Sequence, residues 1–303
     1  MRSDALITRL AQGGVLISDG AMGTMLHRYG LKPGECPESW CITHPDIVRG
    51  ITEAYVAAGS EIVLTNSFGA NSFRLKTHGL VDKIVEFNRA ATALARAAIG
   101  DKGIVAASVG PTGHFTAEEG GDLTCQQLYD AFKQQVTILA DAGVDAICIE
   151  TMSSLQEAIQ AIKAAREHTS LPVMCSFTFE PRPRGIRTMM GVTPENAAKS
   201  SAAAGASIIG TNCGIGLAPM IDIVRQMRAA CPGVPILVQA NAGVPTIENG
   251  QTIFKETPEF MAALVPELLR AGANIIGGCC GTTAEHIRAI AGAVSHTRPN
   301  YAG

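Results

Sequence analysis

Charge is scarce in this sequence, and positive charge is not in excess. Charged residues make up 17% of the 303 residues, and the formal net charge is −3. Proteins that bind nucleic acid or an acidic membrane usually present a basic patch. The composition therefore argues against both as partners.

Long apolar runs are also absent from the sequence. No stretch approaches the roughly 18–20 apolar residues that a transmembrane helix needs. The first residues, Met1–Asp4, hold one basic residue and no apolar signal core, so we expect neither a membrane anchor nor export. The nine cysteines are an odd number spread through apolar segments, which favours reduced thiols in the cytoplasm over a disulfide framework.

The sequence does contain a repeated alternation of short apolar runs with helical patterns. Eight runs are rich in Val and Ile and lack period-2 alternation, as is typical of parallel strands covered on both faces. These predicted strands are Val15–Ser18, Glu61–Thr65, Ile104–Ser108, Ala146–Glu150, Val173–Phe179, Ser207–Thr211, Ile236–Gln239 and Asn274–Gly277. The segments between them predict amphipathic helices, for example Lys83–Ile99, Cys125–Ala142 and Leu155–His168.

Helix boundaries reinforce this pattern. Thr124 with Gly143 and Thr257 with Gly272 bracket predicted helices as caps. Eight βα units without a Pro- or Ser-rich linker predict an α/β fold, a (β/α)8 TIM barrel formed as a single domain by residues 1–303. An open doubly wound sheet is the alternative, but it requires two strands to be misassigned.

Polar and thiol residues concentrate where the predicted strands end. In a (β/α)8 barrel the chemistry lies at the C-terminal ends of the strands. Those positions hold Asp19–Gly23, Asn66–Gly69, Gly110–Gly113, Glu150–Met152, Asn212–Gly214, Asn241–Gly243 and Gly278–Gly281. The sequence therefore predicts an active site at this rim.

Three cysteines at the rim indicate a metal site. Cys279 and Cys280 are adjacent and flanked by glycines, and Cys213 lies two strands earlier in the barrel order. A catalytic zinc site takes three protein ligands and keeps a fourth position open. The alternative is that they are small buried residues, since free Cys is among the most buried types. The other cysteines are interpreted as structural: Cys36, Cys41, Cys125, Cys148, Cys175 and Cys231.

Two carboxylates end predicted strands, Asp19 the first and Glu150 the fourth. Each is either a structural partner for loop amides or a receptor for a substrate ammonium, and position alone does not decide. Because Gly20 and Gly23 also offer amides there, an amino-acid ligand could be held at both ends. A basic loop, Pro181–Arg187, follows the fifth strand, either as a solvated loop or as a contact for a partner protein or charged cofactor.

Several of these segments together resemble the homocysteine S-methyltransferase family. They are Asp19–Met25, Thr65–Asn71, Gly110–Gly113, Gly210–Cys213, Asn241–Gly243 and Gly277–Thr282. The resemblance covers nearly the whole chain, and the split Asn-Cys and Gly-Gly-Cys-Cys pattern is highly specific. Within the family, Asp19–Met25 and Gly110–Gly113 look most like the homocysteine-binding domain of cobalamin-dependent methionine synthase.

The resemblance implies a role for individual residues. Cys213, Cys279 and Cys280 would bind Zn²⁺, and Asp19 and Glu150 would receive the homocysteine ammonium. The remaining implied contacts are amides at Gly20, Ala21 and Met22 for the substrate carboxylate, Asn66 and Ser67 lining the pocket, and Asn241 near the metal.

The implied reaction is zinc-dependent methyl transfer to the thiol of homocysteine, giving methionine. The expected donor is methylcobalamin or another methylcorrinoid carried by a separate protein or domain, because nothing in this chain supplies a cobalamin domain. The basic loop departs from the family pattern and is a candidate for docking that donor. The alternatives are S-methylmethionine, S-adenosylmethionine or betaine as donor, a metal-free phosphosugar-type barrel enzyme, and a non-catalytic zinc- or thiol-binding subunit.

Overall fold

The computed structural model describes residues 2–101, 103–248 and 251–297. Its strands, in chain order, are β1 Leu16–Ile17, β2 Ile62–Leu64, β3 Ile104–Val109, β4 Ala146–Met152, β5 Val173–Phe177, β6 Glu180–Arg182, β7 Gly185–Arg187, β8 Ile208–Asn212, β9 Ile236–Ala240, β10 Thr246–Glu248, β11 Gln251–Ile253 and β12 Ile275–Gly278. Each of the eight predicted strands is present, so the apolar runs located them within a few residues.

At least one helix follows each of the eight barrel strands, and one helix precedes the first. The helices are α1 Arg2–Ala11, α2 Gly23–Arg28, α3 Trp40–Thr43, α4 Pro45–Ala57, α5 Ser72–Thr77, α6 Ile84–Ile99, α7 Cys125–Asp141, α8 Leu155–His168, α9 Pro194–Ala204, α10 Leu217–Ala230, α11 Pro258–Ala271 and α12 Ala284–Thr297. Short 3₁₀ turns occupy Pro37–Ser39, Val81–Lys83 and Ala117–Glu119. None of the described helices is both long and apolar enough to cross a membrane.

The predicted caps define the helix ends. Thr124 forms a capping box with Gln127 at the start of α7. Thr257 accepts a hydrogen bond from the amide of Phe260, and α11 ends at Gly272 in the left-handed conformation. Side-chain oxygens satisfy amides that a helix N-terminus otherwise leaves unpaired.

Eight parallel strands form the barrel, in the order β1-β12-β9-β8-β5-β4-β3-β2. The two ends of this order meet, because Ser18 bridges to Ile62 in parallel and the amide of Glu61 donates to the carbonyl of Ile17 at 2.8 Å. This closure confirms the single-domain (β/α)8 barrel and rules out the open sheet.

The N-terminal end of the barrel is closed by α1, a helix that the apolar pattern did not predict. Leu6 and Leu10 of α1 are buried in a cluster with the first residues of the barrel strands, including Leu16, Ile62 and Ile104. Access to the barrel interior is therefore left to the opposite, C-terminal rim.

Two short hairpins at that rim correct the prediction. The fifth strand ends at Phe177 and not at Phe179. The predicted loop Pro181–Arg187 is part of the antiparallel pair β6–β7, which begins one residue earlier, at Glu180. A second pair, β10–β11, follows β9. Three-residue strands with both faces exposed carry too little apolar pattern to be recognised.

Candidate metal centre and active site

The three predicted cysteines meet at the C-terminal rim. Cys213 follows β8, Cys279 and Cys280 follow β12, and β9 lies between the two strands. The three sulfurs lie within 4.8 Å of one another, and the Sγ atoms of Cys213 and Cys280 are 3.8 Å apart. All nine cysteines are free thiols.

The backbone of β9 and of the residues that follow it brings the thiols together. The amide of Cys213 donates to the carbonyl of Gln239 at 3.0 Å, and the amide of Cys279 donates to that of Ala240 at 2.7 Å. The amide of Ala242 donates in turn to the carbonyl of Cys280 at 3.0 Å. Both cysteine loops are thus tied to one template, which fixes their separation.

Electrostatics couples the three thiols. The thiols of Cys279 and Cys280 donate hydrogen bonds to the Cys213 sulfur, which holds the pKa of Cys213 well below its ordinary value. The same bonds, together with burial, raise the pKa of Cys279 and of Cys280. A cation bound between the three sulfurs would take the place of the protons that these hydrogen bonds share.

The donor set fits zinc. Four ligands at about 2.3 Å around tetrahedral Zn²⁺ lie about 3.8 Å from each other, which matches the distance between the Cys213 and Cys280 sulfurs. The Oδ1 atom of Asn241 is buried without a hydrogen-bond partner among the described residues, while the Asn241 side chain donates to the Cys213 sulfur. An unpaired buried acceptor beside three thiols favours a cation at this position.

Asp19 and Glu150 are buried beside this cluster. Burial raises the pKa of Asp19 to about 7, against hydrogen bonds from the Leu64 amide and the Ser18 hydroxyl. Burial also raises the pKa of Glu150 to about 7, against a hydrogen bond from Ser108, and the negative charges of Asp19 and Cys213 raise it further. Glu150 therefore lies within electrostatic reach of both Asp19 and the Cys213 sulfur.

The glycine loop after β1 is held tightly by its neighbours. A Cβ atom on Gly20 would lie 2.6 Å from the Tyr55 ring, so no side chain fits there. The amide of Ala21 donates to the Thr282 hydroxyl, and the Tyr55 hydroxyl donates to the carbonyl of Ala21. Met22 precedes the first residue of α2. The Ala21 amide thus already has a hydrogen-bond partner in Thr282. The contact of this loop with the substrate carboxylate stays a prediction.

Asn66 and Ser67 make structural hydrogen bonds. Asn66 donates to the carbonyl of Pro37 at 2.9 Å. Ser67 is fully buried and donates to the carbonyl of Ser108 at 2.8 Å. Ser67 thus braces Ser108, which hydrogen-bonds Glu150. The part of Asn66 and Ser67 in lining the pocket stays a prediction.

Three further residues hold the site together. Asn212 and Thr282 stand in the motifs quoted from the sequence, but none of the three was given a role of its own there. The side chain of Asn212 contacts both Thr151 and Glu150, and Thr282 bonds both the Cys279 carbonyl and the Ala21 amide. Ser108 donates to Glu150. The available signal was weak: a polar residue inside or directly after an apolar strand.

A groove also lies at the other end of the barrel. It encloses about 1070 Å³ between α1 and the loops that lead into β9 and β12. Its two arginines are engaged, Arg9 by Glu61 and Arg228 by backbone carbonyls such as that of Pro232. It contains no cluster of metal-ligating side chains among the described residues.

Comparison with known families identifies the family of this chain. A sequence model described as homocysteine S-methyltransferase matches residues 16–294, a range that includes all three cysteines and both carboxylates. The chain belongs to this family. Membership confirms the resemblance in the motifs and favours methyl transfer to homocysteine over the phosphosugar reading.

Known relatives of this family member include two longer proteins. The methionine synthases of Mycobacterium leprae and Mycobacterium tuberculosis are each 30% identical to it. The alignments cover 96% and 94% of this chain but only 25% of either relative. The chain thus spans about a quarter of the length of these relatives.

A solved structure supports the fold. The homocysteine methyltransferase MmuM from Escherichia coli, in its metallated form, superposes with a TM-score of 0.76 at 23% identity. The superposition covers 92% of this chain and 96% of that one. At 23% identity the structural similarity shows the barrel fold and does not identify the methyl donor.

Proposed function

We propose that this family member transfers a methyl group to the sulfur of homocysteine, with Zn²⁺ held by Cys213, Cys279 and Cys280. The observation that carries the proposal is the convergence of these three sulfurs within 4.8 Å at the rim of the barrel. Three thiolates leave a fourth tetrahedral position for the substrate sulfur.

The buried carboxylates are the proposed receptors of the homocysteine ammonium. An ammonium beside Asp19 and Glu150 favours the ionised form of both groups, and it offsets the burial that raises their pKa values to about 7. The charge of Cys213 reaches Glu150, so one amino acid can place its ammonium at the carboxylates and its thiol at the cysteines. The amides at Gly20 and Met22 are the proposed partners of its carboxylate.

When bound, zinc supplies deprotonation, since a thiol with a pKa near 8.5 becomes a thiolate on a metal at neutral pH. The chain's own residues do the rest. The loops after β8 and β12 hold the three sulfurs on the backbone of β9, and Asp19 and Glu150 orient the amino acid. Burial of these groups keeps water from competing for the ammonium.

The proposed donor is a methylcorrinoid, such as methylcobalamin, carried by a separate protein or domain. The support is the identity of 30% to methionine synthases that are about four times as long as the matched part. Nine free thiols suit a reducing compartment, and we propose the cytoplasm.

The decisive test uses protein purified under reducing conditions. Bound zinc is measured, and homocysteine methylation is assayed in parallel with methylcobalamin, S-methylmethionine, S-adenosylmethionine and betaine. About one zinc per chain with turnover on methylcobalamin alone is the expected result. Turnover on a sulfonium or on betaine would retain the site and change the donor. Zinc binding without turnover on any donor would favour a non-catalytic subunit, and activity without zinc would refute the three-cysteine site.

The two rim hairpins, β6–β7 and β10–β11, are the proposed docking surface for the donor protein. Both are connected to the metal loops: Thr178 and Phe179 pack against Gly214, and Phe254 packs against Gly281. Three apolar side chains in or next to the hairpins are strongly exposed: the exposed fraction is 61% for Met189, 61% for Val244 and 73% for Ile247. The arginines at 182, 184 and 187 give β6–β7 a positive charge, which suits an acidic partner.

Docking is tested by replacing Arg182, Arg184 and Arg187 with Gln. Transfer from a methylcorrinoid protein should fall, whereas transfer from free methylcobalamin should not change. A matched triple on the outer helices, Arg89, Arg270 and Arg288, changes the net charge equally and serves as the control. Equal losses with both donors, or no loss with either, would remove the docking role.

A further inference from the structure

Two residues, one in the site and one beside it, have an unusual backbone conformation. Among the described residues, the non-glycine residues with positive φ are Thr151, at 61°, and Cys213, at 60°. The left-handed region is unfavourable for residues with a Cβ, and most of all for a β-branched residue such as Thr. Something in the surrounding structure must therefore hold both residues in place.

The bend at Thr151 determines where Glu150 points. The pairing of β4 with β5 is regular up to Ile149 and resumes, shifted, at Met152. Such a bulge redirects the side chains within it. The orientation of the Glu150 carboxylate therefore depends on the conformation of Thr151.

The side chain of Asn212, at the end of β8, holds this bulge by hydrogen bonds. Its Oδ1 atom accepts hydrogen bonds from the Thr151 amide and from the Ser176 hydroxyl, both at 2.8 Å. Its Nδ2 group donates to the Thr151 hydroxyl at 2.7 Å and to the Glu150 carboxylate at 3.4 Å. The residue is fully buried, and each hydrogen-bonding position of its amide plane is used.

The backbone of Asn212 leads directly into Cys213. Asn212 therefore connects two parts of the site. Its side chain holds the bulge that orients Glu150, and its backbone continues into the loop that carries Cys213. We infer that Asn212 is a positioning residue that sets the Glu150 carboxylate relative to the Cys213 sulfur, and with it the spacing of ammonium and thiol that the site accepts. This inference rests on the proposed function of the site.

Asn212→Asp is the sharpest variant, because it retains the shape and removes both donors. A carboxylate at 212 would also repel Glu150. Affinity is measured by calorimetry on the zinc-loaded protein for homocysteine and for 4-mercaptobutyrate, which is homocysteine without its amino group. The ratio of the two affinities should fall about tenfold, because one hydrogen bond to a charged group is lost. Zinc content should stay at the wild-type level.

Two controls separate positioning from general destabilisation. Thr211→Val alters the adjacent residue, whose buried hydroxyl has no partner among the described residues, and should leave the ratio unchanged. Ser176→Ala removes one hydrogen bond to the Asn212 Oδ1 atom. It should lower the ratio of homocysteine affinity to 4-mercaptobutyrate affinity by a smaller factor than Asn212→Asp does. The Ser176 variant carries the test if Asn212→Asp does not fold.

The possible outcomes are distinct. An unchanged affinity ratio in folded Asn212→Asp and Ser176→Ala proteins overturns the inference. Equal loss of both ligands together with loss of zinc also overturns it, since Asn212 would then act on the metal loop alone. A wild-type protein that holds zinc but does not bind homocysteine refutes the proposed function instead.

Discussion

At the scale of single residues, the three thiols depend on each other. The low pKa of Cys213 comes from the hydrogen bonds that Cys279 and Cys280 donate. Removing either donor leaves two thiols, and two ligands do not make a zinc site of the catalytic kind. The cluster should therefore fail as a unit.

Cys279→Ala or Cys280→Ala should abolish zinc binding and methyl transfer together. Zinc is measured by metal analysis of the purified protein, and transfer by methionine formation. Cys175→Ala is the matched control, a buried thiol of β5 outside the cluster, and it should keep zinc despite some loss of stability. Full turnover and full zinc content in the Cys279 variant would refute the ligand assignment.

The Glu150 carboxylate should destabilise the folded protein at the pH values where it is ionised and can bind an ammonium. Its pKa lies at about 7 in the folded chain against a usual 4.5, so the folded state holds a proton that the unfolded state has lost. Stability must therefore fall as pH rises from about 4.5 to 7, by about 3 kcal/mol for this group.

Glu150→Gln should accordingly stabilise the metal-free protein at pH 8 and have little effect at pH 4.5. The same variant should weaken homocysteine binding at pH 8, where wild-type Glu150 is ionised. Urea denaturation at the two pH values and calorimetry check both effects. Glu157→Gln removes another buried carboxyl, one that accepts bonds from Thr112, and should leave homocysteine affinity unchanged. A Glu150 variant with normal affinity would contradict the ammonium role.

At Gly20, the room left by the neighbouring side chains determines which residue fits. In Gly20→Ala, the new Cβ would meet the Tyr55 ring at 2.6 Å, and Tyr55 is buried and bonded to Ala21 and Thr282. We expect a loss of about 1–3 kcal/mol and weaker homocysteine binding. Gly23→Ala, where a Cβ meets nothing within 4 Å, should change neither. Chemical denaturation and calorimetry measure the two quantities.

The sequence predicted individual residues unevenly. The cysteines could be found because adjacent thiols between glycines are rare and lie at strand ends. The role of Asn212 could not be predicted, although the residue stands in the Asn-Cys motif, because that role depends on the positive φ of Thr151 and on a register shift between β4 and β5. Both features arise from pairing between strands distant in sequence, which no local pattern encodes.

At the scale of elements, the strands of the barrel were predictable and the additions to it were not. Buried runs such as Ala146–Ile149 are apolar throughout, so they stand out. The hairpins lack that signal because Glu180–Arg182 and Thr246–Glu248 are exposed on both faces. A two-stranded ribbon has little stability of its own. Residues that flank the hairpins, Thr178 and Phe179 before β6 and Phe254 after β11, contact Gly214 and Gly281 of the metal loops.

Helix α1 offers a test at this scale. Leu6 is fully buried against the barrel strands, whereas the next residue, Ile7, is 37% exposed. Leu6→Ala should destabilise the protein by about 2–5 kcal/mol, and Ile7→Ala should cost less than about 1 kcal/mol. Neither should change the homocysteine affinity, because α1 lies at the end opposite the cysteines. Urea denaturation and calorimetry report the two quantities, and altered affinity in the Leu6 variant would contradict this separation of stability from binding.

At the scale of the whole molecule, closure of the barrel turns scattered motifs into one site. Asp19 and Cys280 are far apart in sequence, yet β1 pairs with β12. The prediction of eight βα units was sufficient to place both on one rim. It could not give the closing contact between Ser18 and Ile62, because β1 and β2 are only two and three residues long.

The closed floor formed by α1 has a kinetic consequence. Both reactants must enter through the same mouth, because Leu6 and Leu10 fill the other end of the barrel. A large donor seated on the hairpins would cover that mouth, so the amino acid has to arrive first and its methylated product has to leave last. Steady-state kinetics should then follow a compulsory order, with an excess of donor protein inhibiting turnover by blocking the empty barrel.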